Sequence, residues 1–89
     1  MLFKVLLHPK AAKALQKLDD ANRSRVKKAL GELAGEPYKA GEPLHPSHYW
    51  KIKAGDYRAI YEIFRDKKEV VVIFVGHRKN VYDDFSKIL

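Results

Sequence analysis

Five residues have types and spacings suited to holding a phosphate and moving a proton beside it: Lys51, Lys53, Arg58, Arg78 and Tyr82. Lys51 and Lys53 stand two apart, the interval at which an extended chain returns side chains to one face. Two guanidinium groups can grip phosphate oxygens through paired N–H bonds, and ammonium groups add charge with less geometric demand. RNA carries its own nucleophile, the 2′-hydroxyl. A protein acting on it must position that group, take its proton and stabilise the charge building on the phosphate oxygens. Arg58 and Arg78 suit the charge. Tyr82, Lys51 or Lys53 can serve as base, with another cation or water assisting the leaving 5′-oxygen. Each also has a plainer role open to it. Arg58 can pair with Glu62, Arg78 can bind helix or loop carbonyls, the lysines can be ordinary outward-facing strand residues, and Tyr82 can be packing. Their joint placement favours phosphate chemistry.

Other chemistries find little support. No carboxylate pair suits glycosidase chemistry, cysteine is absent, and there is no glycine-rich phosphate loop. His8, His45, His48 and His77 lack metal-ligand spacing, and Asp19-Asp20 and Asp83-Asp84 read as helix caps. The expectation is therefore no metal and no cofactor. His77 reads as structural. Trp50, Tyr57 and Tyr61 can stack bases, but Trp50 and Tyr61 are assigned to the core.

The elements that must position these residues follow from the apolar pattern. Leu2–Leu7, broken only by Lys4, predicts a buried strand ended by His8-Pro9. Ala11, Leu15 and Leu18 mark the inner stripe of a short helix opening at Pro9. Asp19 and Asp20 break it and cap a second helix with Val26, Leu30 and Leu33 inside and Arg23, Arg25, Lys27 and Lys28 in solvent; Gly35 is placed to end it in a left-handed conformation. Residues 36–48, rich in proline, predict a loop. Three strands follow, at about 49–53, 57–64 and 69–76, joined by Ala54-Gly55-Asp56 and by residues 65–68. Setting Lys53 opposite Arg58 puts Trp50, Ile52, Ala59, Tyr61 and Ile63 on one face and Lys51, Lys53, Arg58 and Glu62 on the other. A one-residue slip would mix them. Val70–Val75 is apolar on both faces, as in a strand covered from both sides. Asn80 caps a final helix whose inner stripe is Val81, Phe85, Ile88 and Leu89. The fold class expected is α+β: a small antiparallel-rich sheet, order β-α-α-β-β-β-α, with the N-terminal helical hairpin packed on one face.

At 89 residues the chain is read as one domain, 1–89, with one core. Its formal charge of +7, from 18 Lys+Arg against 11 Asp+Glu, favours a polyanionic or acidic protein partner. No apolar run is long enough to cross a bilayer. Residues 1–9 lack a basic leader and a small-residue cleavage site, so they read as strand rather than signal peptide. A cytoplasmic protein without membrane partners is expected.

The pattern as a whole resembles the RelE/ParE superfamily of toxins from type II toxin–antitoxin modules. It is carried by the apolar first strand, the helical hairpin, Trp50-Lys51-Ile52-Lys53, Gly55-Asp56-Tyr57-Arg58 with Tyr61, Val75-Gly76-His77-Arg78, and Tyr82. Within that superfamily it looks closest to the RelE-type ribosome-dependent mRNA interferases. The resemblance implies a RelE-like fold and an endoribonuclease that cuts translated mRNA in the ribosomal A site. Arg58 and Arg78 would hold phosphate, and Tyr82, Lys51 or Lys53 would assist proton transfer. It also implies a metal-free reaction leaving a cyclic or 3′-phosphate and a 5′-hydroxyl, and an antitoxin wrapping the basic surface. Two other functions fit the superfamily: a ParE-like inhibitor of DNA gyrase, and a non-catalytic RNA- or ribosome-binding module.

Overall fold

The computed structural model describes residues 2–45 and 47–87. Its elements are β1 (Lys4–Leu7), α1 (Pro9–Gln16), α2 (Asp20–Leu33), α3 (Pro37–Ala40), β2 (Glu42–Pro43), β3 (Trp50–Ala54), β4 (Tyr57–Phe64), β5 (Glu69–His77) and α4 (Val81–Ser86). The strands form one sheet in the order β1-β5-β4-β3-β2, with β1 parallel to β5 and the other pairs antiparallel. The α+β class and the strand meander match expectation. Met1, Pro46, Ile88 and Leu89 lie outside the described residues, so the last two cannot be placed on the α4 stripe.

The first strand is shorter than its apolar run and is not buried. It occupies a sheet edge, has β5 as its one neighbour, and leaves Leu2 and Leu7 exposed. His8 opens α1, its Nδ1 accepting the Lys10 N–H at 3.2 Å, with Pro9 in the first turn where its missing donor is harmless. Asp19 caps α2 through the Asn22 N–H. The Asn22 side-chain amide is the main reason its carboxyl sits below the usual range. Arg23 is only partly in solvent: it donates to the carbonyls of Leu15, Gln16 and Leu18 around the end of α1, where helix carbonyls run short of intrahelical donors, and pairs with Asp20 at 2.9 Å. Gly35 is not left-handed; among described glycines only Gly55 has positive φ. The amides of Gly35 and Glu36 both reach the Glu32 carbonyl, and α3 follows at Pro37.

Residues 36–48 contain a helical turn and a two-residue edge strand rather than loop alone. Both elements are too short to show periodicity. A Cβ on Gly41 would overlap the Tyr61 hydroxyl and the Lys51 carbonyl, so glycine lets β2 close on β3. The buried Tyr61 hydroxyl donates to the Pro37 carbonyl at 2.7 Å, and burial pushes its pKa up to about 12.

Lys53 stands opposite Arg58 and Trp50 opposite Tyr61, the register expected from separating apolar and charged side chains. Gly55, at φ +62, makes the two-residue hairpin turn feasible. On β5 the register shifts: Ile60 faces Phe74 while Tyr61 faces Val72, leaving Ile73 as an extra residue. Val70, Val72 and Val75 therefore face the helices with Leu15, Val26, Leu30 and Leu33, while Ile73 and Phe74 face away. The far side is not purely charged. Ile60 on that side is fully buried beneath Val81 and Phe85 of α4, forming a second, smaller core. No helix among the described residues is long and apolar enough to cross a membrane.

Candidate active site

The α4 side of the sheet gathers the five residues. Strand alternation brings Lys51 and Lys53 out on it from β3, and the register sets Arg58 directly across from Lys53. Like charges directly opposed on a sheet are unfavourable, so an anion between them relieves a standing cost. The Arg58 Nη1 donates to the carbonyls of Gly55 and Tyr57 at 2.9 and 2.8 Å. The hairpin turn thus fixes the guanidinium plane. Among the described residues its Nε and Nη2 have no protein acceptor and remain for a ligand. The alternative pairing with Glu62 does not form; Glu62 meets His48 at 3.1 Å.

Gly76 lies across from Arg58 on β5. A Cβ there would sit 3.1 and 3.2 Å from Val81 side-chain atoms, so the first turn of α4 rests directly on this glycine. Val81 anchors that turn in the apolar cluster. The next residue, Tyr82, then lies beside Lys51, whose Nζ is 5.4 Å from the phenol ring centroid, within cation–π range. Tyr82 remains exposed. Asn80 occupies the cap position, but its side chain makes no capping bond; its backbone N–H donates to the His77 carbonyl instead.

Arg78 follows β5 by one residue. Its N–H donates to the Asp56 carbonyl at 2.8 Å, which carries the ladder onto the Gly55-Asp56 turn. Alternation gives it the side of Gly76 and Arg58. Its Nε is 3.8 Å from the Asp56 carboxylate, with both side chains more than half exposed, so the pair restrains it weakly. His77 is turned the other way: its ring meets Tyr57, and its Nδ1 accepts the Lys79 N–H at 3.2 Å. It serves the turn rather than the site.

Two supports escaped the residue-level reading. Gly76 seats α4, and a glycine inside an apolar strand run is a signal for such close approach. Asp56 holds Arg78 by main chain and side chain, a role with no sequence signal. Among the described residues no three His, Asp or Glu side chains form a metal-holding group. The assembled patch has one anchored guanidinium, one loosely tethered guanidinium, two ammonium groups and a phenol. Such a set of groups favours an anion.

Residues 5–82 match the family described as ParE toxin of type II toxin–antitoxin system, parDE. The chain is 34% identical over 59 residues to toxin RelG of Mycobacterium tuberculosis, spanning 64% of this chain and 68% of RelG. Its backbone follows a chain of the RelBE2 toxin–antitoxin complex of Mycobacterium tuberculosis with a TM-score of 0.81 at 28% identity, over 88% of this chain and 100% of that one. It also follows a double arginine-to-alanine mutant of Escherichia coli toxin RelE in the free state, with a TM-score of 0.78 at 29% identity and 100% of both chains covered.

Proposed function

The chain belongs to the RelE/ParE family of type II toxin–antitoxin toxins, and from that premise we propose that it is a ribosome-dependent endonuclease cutting translated mRNA in the A site. The 2′-oxygen attacks the adjacent phosphorus, the bond to the 5′-oxygen breaks, and a 2′,3′-cyclic phosphate and a 5′-hydroxyl result. Tyr82, as its phenolate, takes the 2′-hydroxyl proton, and the Lys51 ammonium beside it balances the phenolate charge. Arg58 and Arg78 hold the phosphate oxygens as charge builds on them, and Lys53 returns a proton to the leaving oxygen. The observation that carries this reading is the Lys51–Tyr82 contact at 5.4 Å, on the same patch as the Lys53–Arg58 pair.

A cognate antitoxin is the protein partner. The related Mycobacterium tuberculosis chain is solved in a toxin–antitoxin complex, and a +7 charge suits an acidic segment. Ribosomes and mRNA as targets place the protein in the cytoplasm. A gyrase inhibitor is the second reading, favoured by the ParE description of the matched family.

Brief induction in bacterial cells, with 5′ ends mapped on one abundant message and on its start-codon mutant, separates the two. New ends within codons that vanish when translation of that message is blocked are expected. Growth arrest with intact message, and inhibition of supercoiling by the purified chain, would replace the interferase with the gyrase inhibitor.

A further inference from the structure

The face that carries Lys51, Lys53 and Arg58 also carries a carboxylate. Glu62 lies four residues beyond Arg58 on β4 and so points the same way. An open carboxylate there would repel a polyanion, but this one is covered: the Glu62 side chain is 25% exposed, and Nε2 of His48 lies 3.1 Å from its Oε2. The His48 ring lies on Tyr49 with centroids 4.4 Å apart and planes tilted by 34°. Tyr49 in turn meets the buried Phe85 of α4 edge-on at 5.2 Å. An imidazole whose side chain is 70% exposed is thus braced by an aromatic ring on one side and by an acid at its edge, with most of its surface open.

His48 precedes β3 and reaches this face through its contact with Glu62, beside Tyr49 at the edge of the α4 cluster. Arg58 and Glu62 are separated by about 13 Å of strand, an interval that extended single-stranded RNA spans in roughly two nucleotides. Aromatic platforms beside a cationic track are the general means of holding unpaired bases, and imidazole serves as such a platform. We propose that His48, seated on Tyr49 and held by Glu62, stacks a nucleobase flanking the reacting phosphate. This rests on the reading that the chain acts on mRNA, and it assigns the substrate contact that would fix the strand's register over Arg58.

The test uses ribosomes with an empty A site. Their message carries 2-aminopurine roughly two nucleotides from the scissile phosphate and a 2′-deoxy sugar at the scissile position, so binding proceeds without cleavage. Wild-type protein should quench the 2-aminopurine. His48→Ala should abolish the quench and weaken binding about tenfold, and His48→Phe, which keeps the ring but cannot pair with Glu62, should restore both. Unchanged quenching by His48→Ala overturns the platform, and so does equal weakening by both variants, which would make the Glu62 contact the whole role of His48. Cleavage of the all-ribose message separates the failures. Wild-type cleavage without quench sinks the platform alone, whereas neither cleavage nor quench sinks the interferase reading and the platform with it.

Discussion

An arginine whose Nη1 is already bound to the Gly55 and Tyr57 carbonyls has lost most of its rotational freedom before a ligand arrives. Arg58 therefore presents its remaining donors at little further entropic cost. Arg78 is held by one ion pair of 3.8 Å between exposed groups, which contributes little to folding. That contrast sets a prediction. Arg78→Ala should lower ribosome-dependent cleavage by about 10²-fold or more while moving the stability by less than about 0.5 kcal/mol. Single-turnover cleavage and urea unfolding on the same preparation measure both; retained cleavage would remove Arg78 from the mechanism. The convergence of Lys51, Lys53 and Arg58 was legible in the sequence because a period of two and a short turn leave few registers. The acceptors of Arg58 were not. They are main-chain carbonyls whose direction depends on the Gly55 turn, and His48, which takes Glu62, stands outside any periodic segment.

At the scale of elements, two close approaches decide where the site sits. Gly76 lets the first turn of α4 rest on β5, and its missing side chain is the reason Tyr82 reaches Lys51. Gly76→Ala puts a methyl group 3.1–3.3 Å from side-chain atoms of Val81 and Phe74, so the packed Val81 and the turn that carries it must give way. The expected result is α4 displaced, cleavage down at least about tenfold, and a stability loss of about 1–3 kcal/mol. Cleavage kinetics and thermal unfolding check it, and full activity would mean that α4 tolerates the shift. Tyr61 ties α3 to the sheet through the Pro37 carbonyl, with a pKa pushed up to about 12. Below pH ~10 both folded and unfolded tyrosine keep the proton and the contribution is constant. Between pH ~10 and 12 the unfolded chain releases that proton while the folded one retains it, so stability falls as pH rises, by about 2–3 kcal/mol at most. Tyr61→Phe should be less stable at pH 8 and lose less over that interval; parallel curves would assign the alkaline loss to other groups. The Tyr61–Pro37 approach was not legible in the sequence, whereas Gly76 carried the cue of a glycine inside an apolar strand run. Gly41 and Pro37 fall in a stretch too irregular to predict, and the sequence pattern supplied only a loop there.

The molecule as a whole has two cores of unequal size on opposite sides of one sheet. The helix side buries Leu15, Val26, Leu30, Leu33, Ile52, Tyr61, Val70, Val72 and Val75, whereas the α4 side buries Ile60, Val81 and Phe85. At 89 residues one core was expected, and Ile60 stands in the sequence as a lone apolar residue on the face of Arg58 and Glu62. Its partners come from α4 and from the bulge that turns Ile73 and Phe74 outward. The larger core sets global stability, since every strand but the two-residue β2 contributes to it or packs against it. The smaller one docks a six-residue helix that could not persist alone. Truncating a core side chain then has different consequences on the two sides. Leu30→Ala should lower the stability of the whole sheet by about 2–5 kcal/mol, raising amide exchange in β4 and β5 together. Phe85→Ala should instead release α4: its amides lose protection, Tyr82 leaves Lys51 and cleavage drops, while β4 and β5 exchange as before. Native-state hydrogen exchange on the two variants decides the matter. If Phe85→Ala speeds exchange in β4 and β5 as much as in α4, the two cores are one cooperative unit, and the position of Tyr82 is set by global stability. If only α4 responds, the phenol rides on an element that can undock while the cationic sheet stays folded, and the site's parts separate along the boundary between the cores.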